Sequence, residues 1–205
     1  MEYYARFINN IIDDYLFLQK IIEEKGNGFC TAEFRKTFNR LYTVRQKTKA
    51  WMNSFYDVFY KCNINKYSFR ECMQHLYEEV GQIHPSLCSR IITTLDPKKP
   101  SWDSNVIRCM GIVLKEPQKK AKETKGEYAG RVMDYYNRIY SQIEKEYQTH
   151  LDDDNINRTI QIFDINIPKA ASLDKMKKID LMIWSLKDRN IKSVLEYNSL
   201  LDKIK

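Results

Sequence analysis

The stretch SLCSRIITTLDPKKPSWDSNVIRCMGI, residues 86–112, carries the clearest structural pattern in the chain. Across its first half, apolar residues recur at three- and four-residue spacing, which is typical of a helix with one buried face. Pro97 and Pro100 then end that helix, because proline has no amide donor and disfavours helix at the residue before it. Asp103 follows at a position where an aspartate can cap a second helix. The stretch therefore predicts two helices joined by a short turn.

Helical spacing extends outward from this stretch in both directions. An apolar stripe over residues 4–22 predicts the first helix, and capping-box patterns open later helices at Thr43 with Gln46 and at Ser68 with Glu71. Three further stripes cover residues 128–147, 173–183 and 194–201. Nearly every apolar part of the chain thus has the period of a helix.

The predicted fold class is all-α, a compact bundle of about eight to ten helices in a single domain, residues 1–205. Its N- and C-terminal segments are expected to pack together as one lobe. The segment EPQKKAKETKG, residues 116–126, is polar and rich in lysine, which predicts an exposed flexible loop or a lobe boundary. Only QIFDINI, residues 161–167, has the character of a strand.

Composition narrows the class of protein. The chain has 205 residues, of which 43% are hydrophobic, so a packed core is expected. Five single cysteines and the lack of a long apolar run predict a cytoplasmic protein without disulfides and without a membrane partner. Lys and Arg number 34 against 27 Asp and Glu, a net charge of +7, which favours polyanionic partners and also aids solubility.

Motifs for nucleotide binding, zinc proteases, serine hydrolases and calcium loops are absent from the sequence. Its Cys and His residues do not have metal-ligand spacing, so neither a metal nor a cofactor is expected. His75, His84 and His150 lie far apart along the chain, and we expect structural roles for them.

Residues 81–112 resemble the middle of the helix-hairpin-helix base-excision DNA glycosylase superfamily, including its uncharacterised bacterial members. GQIHPSLCSRII would match the hairpin and its second helix, and WDSNVIR would match the motif in which an aspartate begins the next helix. IDLMIW, with Asp180 and Trp184, extends the similarity weakly toward the C-terminus. The resemblance implies a two-lobed helical fold that binds DNA, with Asp103 as the catalytic residue of an N-glycosidic hydrolase.

Two departures from that family concern residues that decide activity. The hairpin has only Gly81 near His84, Pro85 and Ser86, where the family has a glycine-rich turn that holds DNA phosphate. The position of the lyase nucleophile has no lysine, and the nearest basic residue is Arg90, which cannot form a Schiff base. If the chain is an enzyme, it is therefore expected to be a glycosylase without lyase activity.

The nucleic-acid-binding residues expected from this resemblance are polar or aromatic and lie in or near the central stretch. They are Ser86, Ser89, Arg90, Lys98, Lys99, Trp102, Asn105, Arg108, Lys119 and Lys120. The lysines suit backbone phosphates, and Trp102 could stack on an extruded base.

A second hypothesis belongs to a different class. Asp103 would be an ordinary helix cap, Trp102 a packing anchor and the lysines a solvated surface. The chain would then be a non-catalytic helical module that interacts with a protein or a nucleic acid. The two hypotheses differ in whether Asp103 faces an open basic cleft or is held as a cap.

Overall fold

The computed structural model describes residues 2–44 and 47–185, and within these ranges the chain forms nine α-helices, two short 3-10 turns and no strand. The helices are α1 Glu2–Lys25, α2 Ala32–Leu41, α3 Lys49–Asn65, α4 Phe69–Val80, α5 Pro85–Leu95, α6 Ser104–Cys109, α7 Lys125–Leu151, α8 Asp154–Asn166 and α9 Lys175–Ser185. The 3-10 turns are Gly26–Gly28 and Pro168–Ser172. The all-α prediction is confirmed. The apolar stripe predicted at 194–201 lies outside the described residues.

Side-chain caps fix several helix starts. The capping box of Ser68 and Glu71 forms as predicted at the start of α4. The predicted cap at Thr43 is wrong, because α3 begins at Lys49 and the hydroxyl of Thr48 accepts the amide of Trp51 at 3.2 Å. Thr43 has a φ of 54°, a left-handed conformation unlike the extended backbone of a cap residue. Its predicted partner Gln46 lies outside the described residues.

The strand predicted at residues 161–167 is also wrong, since these residues mostly belong to α8. Ile156, Ile160 and Phe163 are buried at helical spacing, and Asp153 caps the helix through the amides of Asn155 and Ile156. Ile165, whose branched side chain suggested a strand, is 77% exposed. Burial of one helix face and a strong cap outweigh local strand preference here.

The chain divides into two compact units. The first contains Met1–Ile12, Pro97–Lys115 and Ser141–Lys205, of which the described part ends at residue 185. The second contains Asp13–Asp96 and Glu116–Tyr140.

Aromatic side chains dominate the core of the second unit. Phe59 makes edge-to-face contacts with Phe34 at 5.4 Å and with Phe38 at 5.0 Å between ring centroids. Such pairs contribute about 0.5–1.5 kcal/mol each beyond the area they bury. The fully buried rings of this cluster are Phe29, Phe34, Phe38, Tyr42, Phe55, Tyr56 and Phe59. They join the first 3-10 turn and α2 to α3.

The core of the first unit is more aliphatic. Helix α9 contributes Met176, Ile179 and Ile183, and it packs against both α6 and α8. All three side chains are almost completely buried. This packing places the polar residues of α9 close to the start of α6.

The described helices include none that is both long enough and apolar enough to cross a membrane.

Candidate functional site

Asp103 is the N-cap of α6 in the first unit. Its Oδ1 accepts hydrogen bonds from the amides of Asn105, at 2.7 Å, and Val106, at 2.9 Å. Its Oδ2 accepts a hydrogen bond from the indole Nε1 of Trp184 on α9. Both carboxylate oxygens therefore have donors within the protein.

Burial raises the pKa of Asp103 above its ordinary value. The amides of Val106 and Asn105 and the indole of Trp184 oppose the rise by stabilising the charged form, while the nearby charge of Asp180 adds to it. The carboxylate is thus half-buried and held by two cap amides and by the indole of Trp184.

Asp180 is the centre of a buried polar cluster in the same unit, and its side chain is 1% exposed. Ser101 donates to it twice, from its amide at 3.2 Å and from its hydroxyl at 2.6 Å. The hydroxyl of Tyr147 on α7 donates at 2.7 Å, and the ammonium of Lys177 lies at 3.4 Å. Four donors compensate this carboxylate for the loss of water.

The sequence links only Asp180 and Trp184 to the region around Asp103. The sequence pattern does not reveal the roles of Ser101, Tyr147 and Lys177. Taken singly, they resemble a serine in a turn, a tyrosine in the apolar stripe of a helix and a lysine at the surface. A charged residue inside the apolar run IDLMIW was the one available signal. Chemically, the cluster can hold the turn before α6 against α7 and α9 by buried hydrogen bonds.

Two residues predicted to contact nucleic acid are buried. Trp102 is 5% exposed and belongs to the core of the first unit, so its ring has little surface on which a base could stack. Ser89 is 0% exposed, and its hydroxyl donates to the carbonyl of Ser86 at 2.9 Å. Burial of Trp102 agrees with the alternative role of a packing anchor, and the sequence pattern does not reveal which helix faces meet.

Arg90 lies in the second unit, where its side chain contacts Tyr42. Its Nη1 donates to the carbonyl of Tyr42 at 2.7 Å, and its guanidinium lies 5.6 Å from the centroid of the Tyr42 ring. Ser86 is half-buried in the first turn of α5.

The remaining predicted residues of the first unit lie at or near the surface. Lys98 is exposed, and Lys99 forms an ion pair with Glu144 at 2.9 Å. The side chain of Asn105 accepts a 3.3 Å hydrogen bond from exposed Arg108. Arg108 is thus engaged with a residue of its own helix.

Residues 116–125, called here the lysine segment, belong to the second unit and precede or begin α7. Lys119, Lys120, Lys122 and Lys125 are all exposed, as expected. The ion pairs among the described residues include none that involves these four ammonium groups.

The carboxylates near the lysine segment have partners on or around α7. Glu123 pairs with Arg131 through two hydrogen bonds of 2.6 and 2.7 Å and also accepts the amide of Lys120. These donors lower the pKa of Glu123 to about 2. The other acidic residues of 116–140 are likewise engaged: Glu116 with Tyr136, Glu127 with Thr124, and Asp134 with Arg70. Residues 116–140 contain six Lys and Arg against four Asp and Glu, so this part of the chain keeps a net charge of +2.

The hairpin before α5 contains one glycine in a left-handed conformation, Gly81, with a φ of 70°. It ends α4, and its amide bonds to the carbonyl of Tyr77 at 2.8 Å. His84 is the N-cap of α5, but its side chain makes no capping hydrogen bond. The first-turn amides of α5 consequently lack a side-chain acceptor at the cap.

Among residues 2–44 and 47–185, no group of His, Cys, Asp and Glu side chains is arranged to hold a metal ion.

Comparison with known proteins gave no match to a family model, to a curated protein or to a solved structure.

Proposed function

We propose that this chain is a non-catalytic helical module that binds DNA through the phosphate backbone. The observation that carries the proposal is the lysine segment, where four exposed ammonium groups lie within residues 116–140, a part of the chain with six Lys and Arg against four Asp and Glu. Flexible ammonium groups suit phosphates, and each phosphate neutralised releases counterions from DNA. The net charge of +7 gives the same preference for a polyanion.

The hydrogen bonds of Asp103 support the non-catalytic form of the proposal. A carboxylate that stabilises a cationic sugar must direct an oxygen toward the substrate. Both oxygens of Asp103 instead accept hydrogen bonds, from the amides of Asn105 and Val106 and from the indole of Trp184. These three hydrogen bonds therefore account for the position of the half-buried Asp103 side chain as a helix cap.

The DNA-binding proposal is tested with a fluorescent duplex over a series of salt concentrations. Lys120→Glu/Lys122→Glu is compared with Lys25→Glu/Lys36→Glu, two exposed lysines elsewhere in the second unit. Both variants lower the net charge by four, from +7 to +3. We expect the first to weaken binding about tenfold or more and to flatten the dependence on salt, and the control to change affinity about twofold.

Two results would reject this proposal. One is the absence of any binding by the unmodified protein at low salt. The other is an equal loss of affinity in the two charge-matched variants, since that would indicate a general effect of net charge without a specific surface.

A second candidate function is monofunctional base excision by Asp103. The observation in its favour is that Asp103 begins a helix directly after Trp102, in the arrangement that the resemblance implies. Release of free bases from duplexes with damaged or mismatched bases distinguishes the two functions. Base release by the unmodified protein that Asp103→Asn abolishes, with DNA affinity retained, would favour the hydrolase. No release by either protein, with DNA binding intact, is the result we expect.

A further inference from the structure

Two ring nitrogens in the second unit are buried without hydrogen-bond partners. They are Nε1 of Trp51 and Nε2 of His84, and across the described ranges the only other such side-chain atom is Oδ1 of Asp164. The two rings contact each other edge to face, with centroids 5.7 Å apart and planes at 82°. Buried polar atoms of native proteins are nearly always hydrogen-bonded, so each of these two nitrogens has a hydrogen-bonding capacity that the described protein groups do not use.

The surroundings of this ring pair are positively charged. The ammonium of Lys47 lies 4.8 Å from the centroid of the Trp51 ring. Burial lowers the pKa of His84, and the charge of Lys47 lowers it further, while no carboxylate is among the causes of the shift. A cation would be repelled from this place, whereas an anion would be attracted to it.

The donors available here also match an anion. The indole Nε1 of tryptophan only donates, and Nε2 of histidine donates in one neutral tautomer and in the imidazolium form. Lys47 adds a third donor with full charge. His84 also directly precedes α5, whose first turn has no side-chain cap.

We propose that Lys47, Trp51 and His84 form a binding site for one phosphate-type oxyanion group. Tetrahedral oxyanions have several acceptor oxygens and can bridge donors that do not reach each other. The chemistry is the same for free inorganic phosphate and for a phosphodiester of the DNA backbone. The site is separate from the lysine segment, so it stands whether or not that segment binds DNA.

The three tryptophans of the chain supply a direct readout, because each gives one indole N–H signal in a ¹H–¹⁵N NMR spectrum. Trp51→Phe assigns the signal of interest, and the Trp184 signal, whose N–H already donates to Asp103, is the internal reference. The full-length protein is titrated with sodium phosphate, and separately with sodium chloride at equal ionic strength. We expect a saturable shift of the Trp51 signal with phosphate and not with chloride.

Matched variants test the other two donors. His84→Gln and Lys47→Gln are each expected to weaken phosphate binding about fivefold or more, and Lys36→Gln, an exposed lysine on α2, is expected to leave it unchanged. Thermal unfolding of each variant establishes that it is folded. A variant that fails to fold is replaced by Lys47→Ala or His84→Asn, so that the comparison is always made on folded protein.

A second titration, with a short DNA duplex, identifies the source of the phosphate group. Saturation by both ligands assigns the site to backbone phosphate, and saturation by inorganic phosphate alone assigns it to free phosphate. The proposal is overturned if neither ligand gives a saturable shift, or if the shift persists unchanged in both His84→Gln and Lys47→Gln. Loss of DNA binding in Lys120→Glu/Lys122→Glu with an intact phosphate titration would separate this site from the lysine segment.

Discussion

The buried carboxylate of Asp180 receives hydrogen bonds from Ser101 and Tyr147 and lies 3.4 Å from the ammonium of Lys177. Asp103, whose pKa is raised by burial and also by the charge of Asp180, is by contrast half-buried and engaged as a cap. At the scale of single residues, two aspartates of one unit thus have different structural roles: Asp180 accepts hydrogen bonds in a buried cluster, and Asp103 caps a helix. Neither role is visible from the residue type.

Asp180→Ala should destabilise the protein by about 3–5 kcal/mol, because it removes a buried carboxylate that accepts hydrogen bonds from Ser101 and Tyr147. The measurement is urea unfolding followed by circular dichroism. Asp152→Ala, at an exposed position between α7 and α8, is the matched control and should change stability by less than about 0.5 kcal/mol. A loss below about 1 kcal/mol in Asp180→Ala would contradict the role given to the cluster.

Glu123 should make part of the stability of the second unit depend on pH. Its folded pKa is lowered to about 2 from an ordinary value of 4.5, so the folded state favours the charged form. The contribution is therefore present above pH 4.5 and is lost as the pH falls toward 2. Urea midpoints measured between these limits should fall more in the unmodified protein than in Glu123→Gln.

The control for this prediction is Glu146→Gln, an exposed position on α7. Its acid limb should parallel that of the unmodified protein. Parallel limbs in all three proteins would mean that the pair of Glu123 and Arg131 does not contribute to folding.

At the scale of helices, caps and bounded loops explain where elements begin and end. At the start of α4, the side chains of Ser68 and Glu71 each accept the other residue's backbone amide, and the amide of Ser68 donates to Glu71 at 2.7 Å. The lysine segment, in contrast, has exposed and mostly irregular backbone, and is attached to α7 by the contacts of Glu116 and Glu123. Its stability should therefore depend on a few polar contacts.

Ser68→Ala should cost about 1 kcal/mol, since it removes the hydroxyl that accepts the amide of Glu71. Ser141→Ala, at an exposed interior position of α7, is the control, and it should be neutral or slightly stabilising because alanine has the higher helix propensity. Chemical unfolding gives both values. Equal effects of the two substitutions would show that the capping box is unimportant.

Limited digestion with trypsin should first cleave after Lys119, Lys120 or Lys122, because these residues are exposed and lie outside helices. Glu123→Gln should accelerate cleavage there by weakening the attachment to Arg131. Peptide mass mapping over time identifies the first cuts. First cleavage within α2 or α3 would mean that the lysine segment is better protected than its contacts suggest.

At the scale of the whole molecule, the order of segments along the chain matters. The chain passes from one unit to the other after Ile12, Asp96, Lys115 and Tyr140, so neither unit is a continuous stretch of sequence. A cut in the lysine segment therefore gives two fragments, each of which supplies part of both units. Contacts within the units join the fragments, such as Arg70 with Asp134 and Ser101 with Asp180.

The tryptic fragments should consequently remain together under native conditions. Size-exclusion chromatography of the nicked protein should give one peak at the position of the intact protein, and denaturing electrophoresis should give two bands. Separate elution of the fragments without denaturant would show that the contacts within each unit are too weak to hold the cut chain.

The amino-acid sequence by itself determined the all-α class, most helix positions and the exposure of the lysine segment. Helical periodicity and capping depend on residues three or four positions apart, so a linear pattern is sufficient to reveal them. The same local logic failed where two signals competed, as at Thr43 against Thr48 and in residues 161–167. In residues 161–167 the local preference was weaker than the burial of a helix face, and at Thr43 the left-handed backbone does not suit a cap residue.

Only the tertiary structure decided which polar groups meet. Ser101 and Asp180 are separated by 79 positions, and Trp184 and Asp103 by 81. The contact of Trp51 with His84 likewise joins α3 to the start of α5. Side-chain periodicity assigns a residue to a face of its own helix but does not select the helix that covers that face. Packing makes this selection, and it placed Ser89 and Trp102 in the interior while leaving the lysines exposed.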